Sequence, residues 1–162
     1  MRHLARVQPA SVHGRTARVE LTHFCTHCAA VYDAASSRIR VCPQCGLGVI
    51  LTCSSATLDA PGAAFLVVPA DLNVSAASRP AEDMLAAPDG VYGRPLASLL
   101  TSPVGVGEMT RMIVRAARGT YAPSTIPVAL AASKRAAPGL EARIGGCVNP
   151  PAALVVMQVT ST

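Results

Sequence analysis

The stretch "CTHC", Cys25 to Cys28, is answered by "CPQCG", Cys42 to Gly46, with thirteen residues between the inner cysteines. No other feature of the chain restricts its folding as strongly. A CxxC bend turns two sulfurs toward one point while its backbone amides donate to them, and two such bends complete a tetrahedral set of ligands. Cys25, Cys28, Cys42 and Cys45 are therefore the candidate metal ligands, with Pro43 favouring the second bend and Gly46 supplying the positive φ that ends it. The spacer "AAVYDAASSRIRV" has apolar ends and a polar middle, so it reads as a short hairpin with "SSR" at its tip. A segment of about 30 residues cannot bury enough apolar surface to fold alone, and a structural Zn2+ would take the place of a core. Four thiolates fill every position on the ion, which leaves none for a substrate and makes the site structural.

Two histidines and a fifth cysteine lie nearby. With four well-spaced sulfurs available, His23 and His27 read as outer groups or exposed side chains, and Cys53 as a small buried residue at the module boundary. Residues 1 to 55 carry six arginines against Glu20 and Asp33, so most of the formal charge of +5 belongs to this end. Zn2+ held by four thiolates carries about −2, which these arginines balance, and without a dense basic run they read first as a solvated face. Residues 1–20 are expected to be a flexible arm, 21–55 a zinc ribbon and 56–162 a second module. No stretch approaches the roughly 18 apolar residues of a membrane span, and the start of the chain has no apolar signal core. The expectation is a cytoplasmic protein in a reducing compartment, where paired CxxC motifs indicate metal more than disulfides.

From Ala56 the pattern changes. "GAAFLVVPA" reads as a strand, and "DLNVSAAS" as a turn into a second one. "SRPAEDMLAA" is a helix with Ser78 as N-cap, Pro80 in the first turn, Glu82 and Asp83 at its positive end and Met84 and Leu85 on its buried side. "GRPLASLL" suits a helix of one or two turns. A longer helix is predicted over Val106 to Arg118, with Met109, Met112, Ile113, Ala116 and Ala117 on one face, Arg111, Arg115 and Arg118 on another, and Gly119 as its stop. "STIPVALAA", "GLEARIGGCV" and "AALVVMQV" are further strands, separated by loops at "SKRAAPG" and "NPP". The fold class expected is α+β: a small four-cysteine ribbon plus a five-stranded antiparallel sheet with helices on one face.

The cysteine segment resembles the zinc-ribbon superfamily and is also similar to rubredoxin, which would imply iron and one-electron transfer. The spacer is much shorter than a rubredoxin loop, and with no Trp, only Phe24 and Tyr32 stand near the knuckles to shield an iron centre; zinc is preferred, although four thiolates accept either metal. From Ala63 to Thr160 the element order, the turn "PADLN", the helix "PAEDML" and the stretch "GRPLASLL" resemble the PAS domain family. The sequence departs from that pattern at Ser78, where Asn is common, and at "QVTST", where Gln158 replaces the acidic residue of a terminal Asp-x-Thr that keeps its threonine as Thr160. The resemblance implies a pocket between sheet and helices, its small-molecule ligand unspecified. No histidine follows His27 to hold haem, and no flavin-binding cysteine motif is present, so neither cofactor is expected; Cys147, in a late strand, reads as a buried thiol.

These readings converge on a non-enzymatic signal-transduction or regulatory protein, in which a zinc-ribbon PAS sensor or interaction module is expected to act through a separate effector chain, with no covalent output domain expected. "GVGEM" lacks the Lys-Ser/Thr of a phosphate loop, and no acidic pair or triad spacing stands out. A homodimer is admitted. Two alternatives remain: a nucleic-acid-binding transcriptional regulator using the basic ribbon, weakened by the scarcity of aromatic stacking platforms, and a rubredoxin-like electron carrier.

Overall fold

A computed structural model describes residues 19–33, 38–87, 89–132 and 139–160. It is a mixed α+β structure built on one curled antiparallel sheet. The strands are β1 (Leu21–Cys25), β2 (Val31–Tyr32), β3 (Ile50–Ser54), β4 (Ala64–Val68), β5 (Ala76–Ala77), β6 (Leu100–Thr101), β7 (Ser124–Leu130), β8 (Leu140–Cys147) and β9 (Ala152–Val159); the helices are α1 (Arg79–Leu85) and α2 (Val106–Ala117). The strands run β2-β1-β3-β8-β9-β4-β5, with β7 paired to β8 and β6 to β7.

The two most apolar words of the sequence become β4 and β9, which lie side by side in register from Ala64 opposite Met157 to Val68 opposite Ala153. All five residues of β4 are buried, and β9 is buried from Ala152 through Met157. Their side chains alternate between two cores, as a strand covered on both faces requires. Leu66, Val68, Ala153, Val155 and Met157 pack with Leu85, Met109 and Ile113 of the helices. Phe65, Val67, Leu154 and Val156 pack with Phe24, Leu51 and Cys53 of the ribbon. The cysteine module thus folds back over the sheet as a third layer, and Phe24 meets Phe65 edge to face at 5.1 Å between centroids.

Local chemistry explains the helix positions. Ser78 caps α1 by accepting from the Ala81 amide at 3.3 Å, while the same hydroxyl accepts from Phe65 N–H and donates to the Ala63 carbonyl, tying the helix start to β4. In α2, Met109, Ile113, Ala116 and Ala117 are buried, Met112 packs at the margin, and Gly119 (φ +100°) ends the helix. Gly145 and Gly146 let β8 be approached from both faces, because a Cβ at the first would strike the Thr57 side chain and one at the second would lie 2.7 Å from the Ala116 carbonyl.

Several expectations need correction. "GRPLASLL" yields only a 3₁₀ turn at Leu96–Ser98, followed by the short strand β6, because Leu100 and Thr101 pair with Leu130 and Ala129. Among its described residues the spacer between the CxxC motifs does not close on itself: Val31 and Tyr32 pair back to Phe24 and His23, and Val41 bridges forward to Val49, so each knuckle makes its own hairpin. The ribbon strands also extend the sheet beyond the five anticipated, since β3 joins β8. Ser36 and Ser37 of the expected tip, the "SKRAAPG" loop up to Pro138 and residues 1–18 of the expected arm lie outside the described residues. Glu20, assigned to that arm, has its carbonyl bonded to Ser55 N–H at 2.9 Å. Among the described residues no helix is long and apolar enough to cross a membrane.

Candidate metal centre

Cys25 ends β1, Cys28 follows one turn later, and Cys42 and Cys45 stand on the second knuckle. The structure brings these four sulfurs within 4.8 Å of one another. The Cys25–Cys45 and Cys28–Cys42 separations are both 3.7 Å. A tetrahedron with metal–sulfur bonds of 2.3 Å has edges of about 3.8 Å, which these two separations match. Iron with four thiolates would fit the same cage.

The knuckles are near repeats. Cys42 carbonyl accepts from Gly46 N–H (2.9 Å) and Cys25 carbonyl from Ala29 N–H (3.2 Å). Gly46 takes φ +69°, and Ala29 takes the corresponding left-handed conformation at φ +58°. Amides of His27 and Cys28 point at the Cys25 sulfur at 3.3 and 3.5 Å, and Gly48 N–H points at Cys45 at 3.5 Å. The Tyr32 hydroxyl lies 3.0 Å from the Cys42 sulfur, an outer-shell partner that sequence reasoning weighed only as a shield for the metal. Gly48 sits where any side chain would overlap the Cys25 sulfur.

These contacts divide the sulfurs electrostatically. Burial pushes Cys25 up to about 12 against the pull of the Cys28 and His27 amides, and burial also raises Cys28. Burial works upward at Cys42 too, but the Tyr32 hydroxyl and the amides of Cys45 and Gln44 outweigh it and hold the thiol at about 6. Cys45 is lowered by the amides of Gly48 and Leu47. An ion at the centre would supply the positive charge that lets all four stay ionised, and the donor set suits a borderline-soft cation.

The histidines do not enter the cluster. His23 Nδ1 lies 2.8 Å from the Thr52 hydroxyl, and the His27 carbonyl accepts from Arg79 N–H at 2.7 Å, joining the first knuckle to the start of α1. Cys53 is buried away from the site and faces Cys147 across the β3–β8 junction. The second knuckle shows solvent an apolar rim, with Leu47 at 74% and Val41 at 56% exposure. Arg38 and Arg40 are exposed beside it. No family model, curated protein or solved structure matches this chain.

Proposed function

We propose that this chain is a regulatory interaction module: a zinc ribbon clamped onto a PAS-like sheet, acting without catalysis by contact with a separate protein chain. Support for the PAS-like reading comes from β4, β5, β7, β8 and β9, a continuous antiparallel array with α1 and α2 packed against one face. Support for a structural metal comes from four sulfurs that leave no ligand position open. The observation that carries the functional reading is the apolar rim of Val41, Leu47 and Val49 on a small layer whose own inner face is already occupied. Exposed apolar groups gathered on a rigid knuckle suit a protein partner.

Native mass spectrometry of gently purified protein with elemental analysis tests the reading. One zinc per chain together with a bound polypeptide, lost in Leu47→Asp while the zinc is kept, is the expected result. Iron, and colour that bleaches on reduction, would replace it with electron transfer. Arg38 and Arg40 at the same rim favour nucleic acid as the second reading. That reading requires binding at low salt that collapses as salt rises and is lost in a double Arg38→Ala, Arg40→Ala variant.

A further inference from the structure

β3 and β8 meet at one registered residue pair, and both members are cysteine: Cys53 opposite Cys147. Beside them Val148 N–H donates to the Thr52 carbonyl at 2.9 Å. That bond places the two cysteines at a non-hydrogen-bonded position of the ladder, where facing Cα atoms approach to about 4.5 Å and side chains come closest. A disulfide spans Cα separations of about 4.4–6.8 Å, a range that includes the usual separation of such a facing pair. Both side chains point into the same apolar core, with Phe24, Phe65 and Leu154, and neither belongs to the metal cluster.

The pair is a resting dithiol. Burial raises Cys147 to about 12, and burial together with the neighbouring Cys147 raises Cys53, so both sulfurs stay protonated until the junction opens locally. An apolar hollow of about 420 Å³, lined in part by Leu51, Val67, Pro150 and Ala152, lies alongside. Ala152 is the β9 partner of Cys147, and Leu51 shares a strand face with Cys53, so the hollow is bordered by neighbours of both cysteines, and a small oxidant reaches the buried pair itself only when the junction opens.

We propose that Cys53 and Cys147 form a dithiol–disulfide site, oxidised by a hydroperoxide, that covalently clasps the ribbon to the sheet. One sulfur attacks the peroxide oxygen and the O–O bond breaks. That sulfur becomes a sulfenic acid, and the leaving oxygen takes the thiol proton, departing as water when the oxidant is hydrogen peroxide. The second sulfur then attacks the first, and the expelled hydroxide takes the second thiol proton to leave as water. Two thiols are oxidised by two electrons in total, and the peroxide is reduced by the same two. The clasp stands apart from the proposed function, because it forms or fails whatever the partner is.

The test uses the full metal-loaded chain, treated with hydrogen peroxide, then denatured, alkylated and mapped as unreduced peptides, with metal release followed in parallel. The expected product is a Cys53–Cys147 linked peptide pair, two hydrogens lighter than its reduced parts, reversed by dithiothreitol and absent in Cys53→Ala. The oxidised protein should melt roughly 5 °C or more above the reduced form, since the bond closes a long stretch of chain. Separate alkylation of Cys53 and Cys147 while the four clustered sulfurs oxidise would overturn the proposal, as would a linked product that melts no higher. The wild-type map decides the matter even if Cys53→Ala does not fold.

Discussion

Gly48 shows how closely the knuckles are fitted, because the Cys25 sulfur and, at 2.8 Å, the His27 amide nitrogen occupy the space a methyl group would need. Gly48→Ala is expected to purify with well under one metal per chain by elemental analysis, while Gly107→Ala, in open space on α2, keeps the wild-type content. Thr57 is a residue of the opposite kind. Its hydroxyl is buried with no hydrogen-bond partner among the described residues, packed over Gly145. An unpaired buried hydroxyl costs about 1–3 kcal/mol, so Thr57→Val should stabilise the protein by about 1 kcal/mol in denaturant titration. A destabilised valine variant would mean that the hydroxyl has a partner after all. The clustering of the four cysteines was legible in the sequence because CxxC spacing is a local signal. Thr57 against Gly145 and Cys53 against Cys147 were not, since each depends on β8 meeting β3 and the turn after it, segments far apart in the chain.

Among the elements, β8 is tied to the segment after β3 by Arg143, which reaches Asp59 at 2.6 Å, and to β9 by the same side chain, which reaches Gln158 at 3.2 Å. The Arg143 hydrogen bond holds the Asp59 carboxyl below its ordinary value of 3.8. The folded state therefore binds its proton less readily than the unfolded one, and the contribution is complete above about pH 5 and fades as pH falls through the depressed value. With Asp59 half exposed, Asp59→Asn should cost only about 0.5 kcal/mol at neutral pH. The difference between the two proteins should shrink between about pH 5 and pH 3 in parallel denaturant titrations; a constant difference would assign it to packing. The helix α2 was legible to within a residue, because apolar periodicity and Gly119 are both local. β4 and β9 were legible as strands, but a run of apolar residues states only that both faces are covered, not by what. The helical turn of "GRPLASLL" was legible and is kept as a single 3₁₀ turn, whereas β6 escaped because pairing with β7 takes over at Leu100.

At the scale of the molecule, the cysteine-bearing layer is a cover for Phe65, Val67, Leu154 and Val156, so a metal bound at its four sulfurs would be linked to the sheet in stability. Chelation at neutral pH is expected to expose this face, seen as increased binding of a hydrophobic dye, and to lower the melting temperature of the sheet in the same transition. A sheet that melts unchanged after the metal is removed would show that the two layers are energetically separate. The sequence marked a compositional break near Ala56, and the break is real in composition. It does not mark an edge of the hydrophobic interior, because burial follows contacts that cross it.

The layer order also bears on the timing of synthesis. The cysteine-bearing strands are translated well before β8 and β9, which supply much of the surface beneath them. Phe24 and Leu51 must therefore wait as an uncovered apolar face until Leu154 and Val156 emerge, and a nascent chain stalled before β9 would offer that face to chaperones.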